Sequence, residues 1–164
     1  MSAPRGGPLT LARAEPAGPV AAERLIAAVR RFHGESGRDV DRRQVDAIAA
    51  LCGDSRLGLA WLLVAGGKDC GYALAYRRHS IDHGGKVAVL DDLWVEPAQR
   101  GRGLGGFLLR EVCRDLREAG FSAVVLEADP ADPRAAAFYA RVGFKPKMTA
   151  NLELRLGDHK ASQR

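Results

Sequence analysis

The sequence predicts a mixed α/β domain with a partly antiparallel sheet, and three features carry that prediction. Val87 to Val95 is an apolar run broken only by Asp91 and Asp92. A loop with four glycines follows, and then Phe107, Leu108, Leu109, Val112 and Leu116 recur at helical spacing, giving strand, glycine loop, helix. Leu57 to Ala65 and Cys70 to Tyr76 are apolar runs joined by Gly66-Gly67-Lys68-Asp69, a hairpin signal that makes neighbouring strands antiparallel. Three antiparallel strands thus precede the glycine loop, which argues against an all-parallel Rossmann sheet.

Taken in order, residues 1 to 7 are small and proline-rich and are expected to be disordered. Leu9 to Ala14 predicts a short first strand. Val20 to Phe32 puts Ala21, Leu25, Ile26, Val29 and Phe32 on one side of a helix, and Gln44 to Cys52 forms a second, shorter helix. The hairpin comes next, then Arg77 to Gly85 as a polar connection, then the central strand, which Pro97 closes because proline cannot donate to a ladder. Gly120 stops the helix after the glycine loop, and Ala123 to Leu126 is a buried strand. Arg134 to Arg141 is a helix ended by Gly143, and Thr149 to Leu156 alternates as a final strand. The domain is expected to cover residues 8 to 157, with 158 to 164 as a polar tail.

Bulk properties narrow the function. The 164 residues fit one domain that folds without staples, and 46% hydrophobic with 27% charged content is that of an ordinary globular protein. No apolar run reaches the roughly 18 residues of a membrane span, and Met1 to Pro8 lacks the apolar stretch of a secretory signal, so a cytoplasmic protein without membrane association is expected. Cys52, Cys70 and Cys113 are far apart, and the four histidines form no ligand pattern, so reduced thiols and no metal are expected. The net charge of +5 is spread along the chain without aromatic interleaving, which sets nucleic acid aside as a partner.

The glycine loop is the chemical centre. Backbone N–H groups and the positive end of a helix dipole converge there, and Arg100 and Arg102 add charge, so it can hold a phosphate. Gly101, Gly103 and Gly106 also satisfy the dinucleotide fingerprint, with Glu127 about 20 residues on as a ribose-binding acid. Against that reading, Glu96 to Arg100 separate the strand from the first glycine, whereas a dinucleotide turn follows its strand at once. A glycine-rich surface turn is the plain alternative.

Arg100, Gly103 and Gly105, preceded by Val95 and Pro97, closely resemble motif A of the GCN5-related N-acetyltransferase (GNAT) family. Ala135, Phe138, Tyr139, Gly143 and Phe144 resemble its motif B, with Asp132 where many members carry Asn. The resemblance implies an acyl-CoA N-acyltransferase fold, with a mostly antiparallel twisted sheet of six to seven strands flanked by about four helices. It implies acetyl-CoA as cosubstrate and suggests a homodimer. Leu93, Trp94 and Val95 correspond to positions whose backbone binds the pantetheine arm. Arg100, Gly101, Arg102, Gly103, Leu104 and Gly105 correspond to the pyrophosphate cradle, and Asp132, Ala135 and Phe138 lie in the motif that packs beside the cofactor. Tyr139 corresponds to the acid near the CoA sulfur; packing in the core is the other explanation of its ring.

Leu90 to Val95 is similar to a stretch of spermidine/spermine and related diamine acetyltransferases, in which the first acid corresponds to Asp91. Asp91 and Asp92 are therefore candidates for the base and for attracting a cationic amine, with strand-end carboxylates as the structural alternative. Strand alternation would send the two to opposite faces. Phe32 and Glu35, between the first two helices, are candidates with Asp92 for acceptor binding. Acyl transfer needs a neutral amine, and a primary ammonium has a pKa of about 10. It also needs a held carbonyl and a proton for the departing thiolate. The expected activity is acetylation of a small cationic amine by direct attack in a ternary complex. A protein or peptide acetyltransferase and a non-catalytic acyl-CoA-binding module are the alternatives.

Overall fold

The computed structural model describes residues 10–14, 19–129 and 131–147. Strand β1, Thr10–Ala14, precedes helices α1, Pro19–Gly34, and α2, Arg42–Gly53. The predicted second helix starts two residues early because Asp41 caps it. Its carboxylate accepts the Gln44 N–H at 2.8 Å while the Gln44 side chain accepts the Asp41 N–H at 2.9 Å, a reciprocal capping box. Strands β2, Gly58–Ala65, and β3, Lys68–Ser80, form the expected hairpin. Its loop is only Gly66 and Gly67, whose φ values of 59° and 74° suit a two-residue turn of primed type.

Strand β4, Gly85–Val95, lies between β3 and β5 in the sheet. The polar connection predicted over Arg77 to Gly85 is mostly strand instead: Arg77 to Ser80 pair with Ala88 to Gly85, leaving a tight turn at 81–84. Cross-strand pairing there overrides the polar composition. After a 3₁₀ turn at Pro97–Gln99 come α3, Leu104–Glu118, then β5, Ala123–Leu126, and α4, Pro133–Val142. Five strands are ordered β1-β2-β3-β4-β5 among the described residues, all pairs antiparallel except β4 with β5. The predicted strand at Thr149 to Leu156, the expected disorder of residues 1 to 7 and the polar tail lie outside the described residues.

The sheet separates two apolar cores. On one face Leu59, Trp61, Leu63, Ala73 and Leu90 pack with Leu104, Leu108, Leu109, Val112 and Leu116 of α3, and Phe138 and Tyr139 of α4 lie against them. Trp61 is fully buried, and its indole N–H donates to Asp115 at 2.9 Å, so its one polar atom is satisfied. On the other face Leu25, Ala28 and Val29 of α1 and Ile48 and Cys52 of α2 cover Ala60, Leu62, Tyr72, Leu74 and Trp94.

Two irregularities in β4 create the site. First, pairing with β5 stops at Leu90 opposite Leu126, so Asp91 to Val95 run on with no β5 neighbour. Second, Leu74 of β3 pairs with Asp92 but Ala75 pairs with Leu90, so Asp91 is the extra residue of a β-bulge. Above the bulge Ala88 and Leu90 face the α3 core; below it Trp94 faces the α1 core and Leu93 and Val95 the α3 core.

Candidate active site

The bulge reverses the side-chain parity of β4. Asp92 therefore shares the α1 face with Trp94, and Asp91 precedes it on that same face rather than on the opposite one. This corrects the expectation that the two carboxylates point to opposite sides. The Tyr72 hydroxyl donates to Asp92 Oδ2 at 3.1 Å. Burial raises the Asp92 pKa and Asp91 adds to the rise, while the Tyr72 hydrogen bond and the charges of His33 and Arg38 oppose it; the net direction is upward. Burial, with Asp92 next, holds the Tyr72 hydroxyl firmly protonated. Phe32 meets the Tyr72 ring edge-on at 6.3 Å and His33 at 5.4 Å, so the end of α1 roofs the Asp92 side of the strand.

The edge of β4 beyond Leu90, which has no strand partner among the described residues, faces the other way. Glu96 N–H donates to Cys70 O at 2.8 Å, so residues 92, 94 and 96 bond toward β3, and the alternation turns the Leu93 and Val95 N–H groups into the gap that β5 leaves. At the lower end of this gap the glycine loop enters α3. Gly101 and Gly103 have φ of 76° and 79°, a region that side chains disfavour, and a Cβ at either would meet nothing within 4 Å. Gly103 is the N-cap and offers no side chain, and the first intrahelical bond is Phe107 N to Gly103 O, so the N–H groups of Leu104, Gly105 and Gly106 have no partner within the helix. A Cβ on Gly105 would meet the Phe138 ring at 3.5 Å and Val95 at 3.8 Å. Bare backbone, an uncapped helix start and an aromatic wall fit the pyrophosphate and pantetheine of an acyl-CoA. Bound there, the thioester would supply an activated acyl group.

Several predicted residues are engaged with other groups of the folded chain. The Arg100 guanidinium does not lie over the loop: Nε donates to Val95 O at 2.8 Å and Nη2 stands 2.8 Å from both Glu35 oxygens. Glu35 also accepts the indole N–H of Trp94, so its carboxylate is committed to protein donors. Trp94 is buried on the α1 face, away from the α3 and α4 side, so only its backbone belongs to the cofactor edge. Leu104 is likewise core in its side chain. Asp132 caps α4, accepting from Arg134 N at 2.9 Å and Ala135 N at 3.3 Å. Arg102 remains exposed and bonds Gln99.

Tyr139 packs edge-on against Phe138 at 5.1 Å and Phe144 at 5.8 Å, on the α3 side of the sheet. Burial raises its pKa, and the charge of Asp92 raises it further. Its field contact with Asp92 crosses the sheet where β4 and β5 part. Sequence reasoning missed Tyr72, whose pairing with Trp94 depends on a hairpin register that no local pattern reveals. It also missed Arg110, whose Nη1 would lie 3.2 Å from a Cβ on Gly106 and so brings a cation back over the first turn of α3. Burial is the first cause raising all three thiols, which leaves Cys52, Cys70 and Cys113 poor nucleophiles. Among the described residues no cluster of His, Cys, Asp and Glu could hold a metal ion.

An uncapped helix start beside a strand that loses its partner at a bulge defines an acyl-CoA-type site, and similarity to known proteins agrees. Residues 23–144 match the acetyltransferase (GNAT) family model, and the chain belongs to that family. Among curated relatives, "Probable glucosamine 6-phosphate N-acetyltransferase 2" of Oryza sativa subsp. japonica is 38% identical over 74 residues, 45% of this chain and 43% of that protein. The chain thus matches less than half of that relative's length. Integron cassette protein HFX_CASS3, from the mobile metagenome of Cole Harbour Salt Marsh, superposes with a TM-score of 0.77 at 26% identity, covering 89% of this chain and 90% of that one. Aminoglycoside N-acetyltransferase AAC(6')-Iy, solved with CoA, superposes with a TM-score of 0.72 over 94% of this chain and 99% of its own, a likeness of fold at 19% identity.

Proposed function

We propose that the protein is an acetyl-CoA-dependent N-acetyltransferase acting on the primary amine of a small cationic acceptor. The observation that carries this reading is the gap at the β4 bulge. The Leu93 and Val95 N–H groups, without a partner among the described residues, and the glycine loop lie on one side of it, and Asp91 and Asp92 lie together on the other. A cationic amine is drawn to a pair of carboxylates at the depth of the strand, and Asp92, with its raised pKa, takes the ammonium proton directly or through a water. The neutral amine then attacks the thioester carbonyl directly. In this reading the Leu93 and Val95 N–H groups hold that carbonyl. Tyr139 keeps its proton at neutral pH and can give it to the departing thiolate. Most of the rate comes from holding two substrates together, several kcal/mol on the order of what orientation supplies.

The sequence relatives are named for small amines, glucosamine 6-phosphate and serotonin, which supports a small amine over a peptide. So does the Phe32 ring, which lies edge-on to both Tyr72 and His33 and covers the Asp92 side of the strand. The test is thiol release from acetyl-CoA across polyamines, amino sugars, aminoglycosides, amino acids and short peptides. Release with one small amine class is expected. Release with peptides alone would move the reading to a protein acetyltransferase, and binding of acetyl-CoA without release would leave an acyl-CoA-binding module.

A further inference from the structure

Arg24, Arg31 and Glu35 lie along one stripe of the first helix and its C-terminal extension, and each is tied to the strand pair that carries the cofactor edge. Arg24 donates to Asp69, with Nε at 3.0 Å from Oδ2. Arg31 donates to Asp69 O at 3.1 Å, approaches Glu96 at 3.6 Å and stands 5.7 Å over the Trp94 ring. Glu35 completes the row by accepting from Trp94 and Arg100, while Arg100 also holds Val95 O. Val95 is the last residue of the cofactor edge, and Arg100 opens the glycine loop. Glu35 begins the loop to the second helix, where Arg38 N–H bonds His33 O at 3.0 Å and the Ser36 hydroxyl bonds the same carbonyl at 3.1 Å.

From this geometry we infer that Glu35 is a positioning residue that couples the glycine loop to the acceptor loop, residues 33 to 41, so that loading one orders the other. The ion pair itself is half-open to water, with side-chain exposures of 49% for Arg100 and 31% for Glu35, so it contributes little to global stability. What it does is join the two segments directly through side chains. A ligand that fixes the Arg100 to Gly106 backbone fixes the Arg100 guanidinium, and through Glu35 the start of the acceptor loop. The loop is thus prepared for the amine when the acyl donor is present, a coupling of the size commonly met between linked sites, about fivefold or more.

The inference rests on the acyl-CoA reading, and amide hydrogen exchange separates the two. With CoA added to the wild-type chain, exchange is expected to slow at residues 100 to 106 and also, by about fivefold, at 33 to 41. Glu35→Gln keeps an acceptor for the Trp94 indole but loses the charge on Arg100. In it the protection at 100 to 106 should persist and the protection at 33 to 41 should disappear. Arg100→Gln should give the same loss, and the double variant no further one. Undiminished protection of 33 to 41 in Glu35→Gln, or none there in the wild type while 100 to 106 are protected, would overturn the coupling. No protection at 100 to 106 in the wild type would overturn the acyl-CoA reading and the coupling with it.

Discussion

At the residue scale, the proposed chemistry turns on two protons, and burial raises the pKa of both groups assigned to them, Asp92 and Tyr139. Tyr139→Phe keeps the ring contacts with Phe138 and Phe144 and removes only the hydroxyl. Turnover should fall by about 10²-fold with acetyl-CoA affinity little changed, as steady-state kinetics beside a binding titration would show; equal turnover would end the acid assignment. Asp92 gives a prediction with opposite signs for activity and stability. Its pKa is raised in the folded state, first by desolvation, so the folded chain keeps that proton to higher pH than the unfolded chain does. Folding stability from this group is therefore fully present below the unfolded value of about 3.9 and declines as pH rises through the folded value. Asp92→Asn should be as stable as the wild type or more so at pH 7, with the difference vanishing near pH 3, while acetyl transfer is largely lost. The wild-type kcat/KM should in turn rise along an acid limb above the usual carboxylate range. A variant less stable at pH 7 would show that the carboxylate is paired rather than strained.

At the element scale, the elements whose signals are local were legible and the ones set by partners were not. The glycine loop, the hairpin and the helices of α3 and α4 all carry local markers: Gly103 and Gly143 at helix ends, Asp132 as a cap, and apolar residues at helical spacing. The continuation of β3 through Arg77 to Ser80 and the bulge at Asp91 are set by cross-strand register, which no single stretch encodes. Hence the acid pair was found as chemistry but assigned to opposite faces. Arg100 was likewise legible as a motif residue, but its ion pair with Glu35, 65 positions away, was not. The loop geometry yields its own prediction. Gly103→Ala meets no neighbouring atom yet must hold a φ of 79°, a strain on the order of 1–2 kcal/mol placed at the N-cap of α3. Thermal melts should register that loss, and acetyl-CoA affinity should fall with it, because relief of the strain turns the free N–H groups away. Gly71→Ala should be worse for a different reason: its Cβ would lie 2.5 Å from Trp94 O, forcing β3 from β4.

At the scale of the whole molecule, one sheet divides two cores and the proposed donor and acceptor sites occupy its opposite faces, meeting only where β4 and β5 separate. The donor side is backbone held by α3 and α4; the acceptor side is side chains held by α1 and β3. On the proposed reading, this division predicts which cofactor class should stabilise the fold. β4, α3 and the parallel β5 have the order a dinucleotide unit needs, but its glycine turn would follow the strand at once, whereas here the 3₁₀ turn Pro97–Gln99 intervenes. An acyl-CoA can lay its pyrophosphate on the α3 start and run its pantetheine along Leu93 and Val95. At about 100 times its Kd a ligand that binds only the folded chain adds roughly 2.7 kcal/mol, a rise in Tm on the order of 5–10 °C for a chain of this length. Acetyl-CoA should produce that shift at low millimolar concentration or below, and NAD at the same concentration should not. A shift with NAD alone would restore the dinucleotide reading of Gly101, Gly103 and Gly106, and would require the open edge of β4 to serve something other than a pantetheine arm.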